Sequence, residues 1–239
     1  MRGDHHFSLV IPFHADTERL ACTLRRVQRG GAAWGIHEIL LCQNGRGLAF
    51  DRNQLPAECS APIPVRFFRT EEKGIGAGYR LGIENAECPF VILSASDFPF
   101  DFSDLARYRE LLDRGARPYG VGSKTHPGSK LEDRSVGRRL STFVFRCWRR
   151  TLFPGLSLGD TQGTILAPRE LLRASLASVE ERGYLFSLEL ALFARRAGWP
   201  IEELPVEFAE VPGTSMVRLW RDGGGMALGC LRLRLRWRT

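Results

Sequence analysis

Apolar residues along this chain gather in short runs, separated by longer segments of helical period. Residues 7–13, FSLVIPF, form a continuous apolar run stopped by Pro12, the pattern of a strand buried on both faces. Asp16 or Thr17 then caps a predicted helix whose Leu20, Leu24 and Val27 recur at i, i+4 and i+7, with Gly30 and Gly31 closing it. Further strands are predicted at 38–42, ending in the turn signal Gln43-Asn44-Gly45, at 63–68, at the start of 90–100, at 119–122, and at 199–208. Helices are predicted from Lys73 to about Ala86, and over 103–112, 168–178 and 184–197. This alternation predicts an α/β fold, a parallel sheet with helices on its faces.

Residues 90–100, FVILSASDFPF, place Asp97 just past a buried strand, at the carboxyl edge where open α/β sheets bind ligands. Asp97 is either a turn-former ahead of Pro99 or a ligand-binding group. Gly74, Gly76 and Gly78 resemble part of a dinucleotide fingerprint, but that motif follows the first strand, and here the first strand is followed by PFHADTE. These glycines therefore suit close packing of a helix start on the sheet.

The 239 residues allow one large α/β domain or two small ones, and 44% hydrophobic content excludes a disordered chain. No run approaches the roughly 18–20 apolar residues of a membrane span, and the first residues lack the apolar core of a signal peptide. Six scattered cysteines without a CxxC pair suggest reduced thiols in a cytosol. The net charge of +7 comes mainly from arginines of the C-terminal half, which suit phosphate, anionic lipid or nucleic acid. No nucleic-acid recognition motif accompanies them, so no nucleic-acid partner is expected. Residues 138–156, with RRLSTFVFRCWRRTLF, read as an amphipathic helix, lying at a membrane interface or packed in the core with snorkelling arginines. The tail at 226–239 is cationic and amphipathic as either strand or helix. Glu189, set among Leu188, Leu190 and Leu192, is a carboxylate that is either exposed or functional.

In order, SLVIPFHADTERL, EILLCQNG, KGIGAGYRLGIENA, VILSASDF, the GSK at 122–124, the RRLS at 138–141, the DTQG at 160–163 and FSLELALFARRAGWPIEELPVEF at 186–208 resemble the GT-A family-2 glycosyltransferases. Within these the likeness is to the polyprenyl- and dolichyl-phosphate mannose or glucose synthases. It covers nearly the whole chain and implies a single GT-A domain over 1–239, with a Rossmann-like, mostly parallel sheet and helices on both faces. By the same resemblance Pro12, Asp16, Asn44, Gly76 and Asp97 contact a GDP- or UDP-linked sugar, and Asp97 holds Mg2+ or Mn2+. Lys124, Arg138, Arg139 and Ser141 bind acceptor or diphosphate groups, and Asp160 and Glu189 are the catalytic carboxylates. The implied acceptor is a polyprenyl phosphate, used by a cytoplasmic protein in peripheral contact with an anionic membrane at its inner face.

Several positions depart from the family pattern. Gln43-Asn44 stands where an acidic pair is expected, Ala95-Ser96-Asp97 keeps only the second metal-motif aspartate, and Pro99 replaces a glutamine. Ile75 and Met216 replace lysines. Two readings follow: a hexosyltransferase with an altered metal site, or a non-catalytic binding or scaffold protein that keeps the fold.

Overall fold

The computed structural model describes residues 5–15, 17–47, 50–51, 55–96, 102–131, 146–156, 158–208 and 219–237. Its centre is β1 (Phe7–Phe13), buried along its whole length. Side chains alternate across a strand, so Phe7, Leu9, Ile11 and Phe13 join one core cluster and Val10 joins the other. On the first face lie α1 (Thr17–Gly30), which buries Leu20, Leu24 and Val27, and α3 (Ser103–Asp113), which buries Leu105 and Tyr108. On the second lie α2 (Ile75–Asn85), α5 (Arg169–Ser175), α6 (Phe186–Arg196) and α7 (Leu219–Arg236).

The other strands are β2 (Ile36–Asn44), β3 (Val65–Thr70), β4 (Phe90–Leu93), β5 (Tyr119–Ser123), β7 (Ile165–Pro168) and β8 (Ile201–Pro205). Together with β1 they form one sheet in the order β3-β2-β1-β4-β7-β5-β8. All pairings are parallel except those of β7, which runs antiparallel between β4 and β5. The mostly parallel α/β fold agrees with the sequence pattern, while the direction of β7 was not visible in it. The predicted strand at 199–208 divides: β8 ends at Pro205, and β9 (Glu207–Phe208) pairs instead with β6 (Lys130–Leu131). Helix α1 passes into a 3-10 turn, Gly31–Trp34, and the chain reverses at Gly35 (φ 85°) rather than at Gly30. Of the amphipathic helix expected at 138–156, residues 146–152 are helical (α4), and 138–145 lie outside the described residues. The basic tail is helical, as the last turns of α7.

Helix α2 lies unusually close to the sheet. A Cβ at Gly82 would overlap the Val10 side chain, and one at Gly78 would stand 2.6 Å from Pro12 Cβ. The glycine-rich segment is thus a packing device, as its position after the third strand suggested.

Across the β1–β2 pair, Glu38 is buried beside Ser8. Burial alone would raise its pKa. The Ser8 hydroxyl (2.6 Å), the Glu87 N–H (2.7 Å) and the Arg66 guanidinium (2.8 Å) outweigh that and hold it below the ordinary glutamate value. Such a group stabilises the fold above its unfolded-state pKa and loses that contribution as pH falls through its folded-state pKa. Urea unfolding of Glu38→Gln is expected to show a loss of about 1–3 kcal/mol near neutrality that closes in acid. A gap that stays constant down to about pH 3 would show that the ionised form contributes nothing.

Candidate active site

Because β1, β2, β3, β4, β5 and β8 run parallel, their carboxyl ends share one edge, and the loop before the reversed β7 enters at that same edge. The strand order changes direction between β1 and β4, the switch point where open α/β sheets take ligands. Ser94, just beyond β4, is buried there, and its Oγ has no hydrogen-bond partner among the described residues. The Thr23 hydroxyl donates to the Ser96 carbonyl (2.7 Å), fixing the chain as it leaves β4.

On one side of this edge, Pro12 and Asn44 meet across the face of α2, where a Cβ at Gly78 would lie 3.3 Å from Asn44 Nδ2. His14 Nδ1 bonds the Asn44 carbonyl (2.7 Å). Gln43 Nε2 donates to the His14 carbonyl (3.2 Å), and its Oε1 accepts from the Phe50 N–H (3.1 Å). Gln43 therefore stitches two loops together. The Gly76 N–H donates to the Arg182 carbonyl (2.8 Å), as does that of Ala77 (3.3 Å), and a Cβ at Gly76 would stand 2.7 Å from Phe186 Cβ. Gly76, expected at the nucleotide, thus has its amide engaged by the protein itself, and the start of α2 is already capped. Gly74, at φ 119°, adopts a backbone open to glycine alone and passes the same carbonyl without room for a side chain.

On the other side stands Glu203 of β8, a residue the sequence did not single out. Its Oε1 accepts from the Ser123 hydroxyl (3.0 Å) and from the N–H groups of Gly159 (2.5 Å) and Asp160 (3.2 Å). One carboxylate thereby clasps the turn at the end of β5, which carries Lys124, to the loop that carries Asp160. The fit is close: a side chain at Gly163 would overlap the Gly122 carbonyl, and one at Gly159 the Thr125 hydroxyl. Within the loop Asp160 Oδ1 accepts from the Gln162 N–H (2.9 Å), and Gln162 Nε2 donates to the Tyr184 carbonyl (3.0 Å). Arg149 of α4 was also missed. It is buried, donates to the Leu158 carbonyl, and has no partner at Nη1 among the described residues. Burial draws its pKa down from the ordinary arginine value, and the Asp160 and Glu203 carboxylates oppose that shift.

Glu189 lies fully inside the core. Its carboxylate accepts from the N–H groups of Glu180 (3.0 Å) and Glu181 (2.7 Å) and from the Trp237 indole (3.0 Å), and it pairs with Arg236. No surface of it is left for a substrate, so its influence runs through the segment it holds, whose Arg182 carbonyl caps α2.

Asp16, Asp97, Arg138, Arg139 and Ser141 lie outside the described residues. Among the described residues no three His, Cys, Asp or Glu side chains converge as metal ligands. The strand ends at the switch point offer Gln43, Asn44, Ser94 and Ser96. These neutral groups do not by themselves fit a hard dication, which favours carboxylate oxygens.

Over 98% of this chain and 80% of the other, the fold superposes with a TM-score of 0.64 and 18% identity on glucosyl-3-phosphoglycerate synthase from Mycobacterium tuberculosis, in complex with Mn2+, UDP-glucose and phosphoglyceric acid. In sequence the chain is 26% identical over 210 residues to the polyprenol monophosphomannose synthase of Mycolicibacterium smegmatis, covering 84% of this chain and 77% of the relative. It is 28% identical over 152 residues to the undecaprenyl-phosphate mannosyltransferase of Micrococcus luteus, a match spanning 59% of each. The fold is GT-A, and the chain is a distant homologue of the polyprenyl-phosphate hexosyltransferases. No model of a protein family matches it.

In this GT-A sheet the Glu203 clasp is the local feature most open to test. Glu203→Ala leaves the Gly159 and Asp160 amides and the Ser123 hydroxyl without their shared acceptor, at a cost of about 1–3 kcal/mol. Amide hydrogen exchange at Gly159 and Asp160 is expected to quicken by about tenfold or more. Unchanged protection at both would show that the loop is held by other contacts.

Proposed function

We propose that the protein is a hexosyltransferase, moving a sugar from a GDP- or UDP-linked donor to a polyprenyl phosphate at the cytosolic face of a membrane. The observation that carries this is the clasp by Glu203, which sets the Lys124 turn and the Asp160 loop on the same sheet edge as Pro12 and Asn44. One edge then serves both partners, the nucleotide beside Pro12 and Asn44 and the acceptor phosphate beside Lys124. Asp16 is assigned to the nucleotide, and Arg138, Arg139 and Ser141 to the acceptor phosphate, by family resemblance alone. An ionised phosphate oxygen is already a nucleophile. It forms the new bond to the anomeric carbon as the bond to the donor diphosphate breaks, and no general base is needed. Catalysis is then positioning and charge stabilisation. Asp160 orients the sugar and acceptor during transfer, and Glu189 acts as a positioning residue behind α2. Asp97 would be the protein's own ligand for Mg2+ or Mn2+, and such an ion would neutralise charge on the leaving diphosphate.

A second reading, a non-catalytic protein that keeps the fold, is favoured by the neutral Gln43 and by a capped α2 on the donor side. Titration calorimetry with GDP and UDP, with and without Mn2+ or Mg2+, separates the two. The transferase reading expects metal-dependent binding that Asp97→Ala abolishes. Absence of binding to either nucleotide under all conditions would establish the second.

A further inference from the structure

Among the described residues the large apolar side chains that stand exposed are Trp148, Leu228, Leu231 and Leu235, all on α4 or α7. Helix α7 docks on the domain through Gly229, which sits against Leu185, and through buried Cys230, Leu233 and Trp237. With about 3.6 residues per turn, Leu228, Leu231 and Leu235 line up on the side directly opposite. They are 51%, 39% and 61% exposed. The helix is therefore apolar on two faces, and the described residues cover only one of them. A helix seated on its own domain needs one apolar stripe, so the outer one calls for another cover.

The flanks of that outer stripe indicate what the cover is. Arg232 follows one side of it and Arg234 the other, while Arg236 is paired with Glu180 and Glu189, and residues 225–237 contain no aspartate or glutamate. Pairing with a second copy would set these arginines against their equivalents with no carboxylate in the segment to answer them. An anionic bilayer surface matches both features: leucines enter the acyl boundary while guanidinium groups remain among the headgroups. Helix α4 is a neighbour: its Arg149 guanidinium partly offsets the rise that burial gives the Cys230 thiol, and its Leu152 packs against the core that holds Cys230 and Leu233. It adds exposed Trp148 and Arg150 to the same end of the molecule.

We propose that the outer face of α7, built on Leu228, Leu231 and Leu235 and flanked by arginines, seats the protein on an anionic lipid surface. The choice of lipid rests partly on the reading of a lipid-phosphate acceptor, but the test contains no substrate, so either can fail alone. The full chain is sedimented with vesicles of phosphatidylcholine, with or without phosphatidylglycerol, at low and high salt. The expected result is binding to the anionic vesicles that weakens with salt. It should fall by about a hundredfold in Leu228→Gln/Leu231→Gln/Leu235→Gln, whose circular dichroism and urea midpoint should match the parent. Leu235→Gln alone is expected to weaken binding severalfold, and Arg232→Gln/Arg234→Gln to flatten the salt dependence. Equal vesicle binding by the parent and the leucine variants would overturn the proposal, as would no binding by the parent. A dimer seen by light scattering and dissolved by the leucine substitutions would overturn it in favour of a second copy. Nucleotide calorimetry in the absence of lipid reports separately on the transferase.

Discussion

The approach of α2 to β1 is the contact on which the rest of the molecule depends. Val10 occupies the space that a side chain at Gly82 would take, so the helix lies flat against the central strand. The same approach seats Gly78 on Pro12 and Asn44, and brings Gly74 and Gly76 against the segment that leads into α6. An added methyl in such a close-packed contact forces backbone or rotamer shifts rather than filling a void. The geometry of the Pro12 and Asn44 side of the edge is thus set by the absence of side chains along one face of a helix.

Three glutamates then fix the loops that the sheet alone would leave loose. Glu38 on β2 accepts the Glu87 N–H, Glu189 on α6 those of Glu180 and Glu181, and Glu203 on β8 those of Gly159 and Asp160. In each case a carboxylate on a regular element holds backbone donors of an irregular segment. Charge-assisted bonds of this kind are short and strong when shielded from water. Functional loops held in this way keep their geometry without losing their exposed tips.

Much of the fold was legible from hydrophobic period. The continuous run of β1 and the spacing of Leu20, Leu24 and Val27 have direct counterparts in burial. The direction of β7 was not legible, because a short apolar strand reads the same both ways and its partners are set by tertiary packing. The tail's alternating LRLRLR fits strand and helix alike, and docking of Cys230, Leu233 and Trp237 decided for helix. Glu203 escaped notice because a glutamate in an edge strand has an ordinary solvent-facing appearance. Only the fold brings Ser123, Gly159 and Asp160 to it. Glu189 stood out for its apolar neighbours, but its partners Arg236 and Trp237 lie in a tail whose docking the sequence did not predict.

That last contact set joins the two ends of the molecule. Trp237 and Arg236 of α7 reach Glu189; Glu189 holds the amides of Glu180 and Glu181; and the Arg182 carbonyl that follows caps α2 at Gly76 and Ala77. Arg182 also pairs with Glu72 (2.7 Å), whose own carbonyl takes the Gly45 N–H (2.8 Å) just past Asn44. The inner face of α7 is therefore tied, bond by bond, to the edge where Asn44 lies, while its outer face carries the uncovered leucines. A helix whose inner face was bound only by apolar contact could slide or roll when its outer face met a surface. The buried Glu189 resists this, because displacing Arg236 or Trp237 would leave an uncompensated charge in the core. The carboxylate thereby fixes the orientation in which α7 presents its leucines and arginines, and with it the side of the domain that the sheet edge faces.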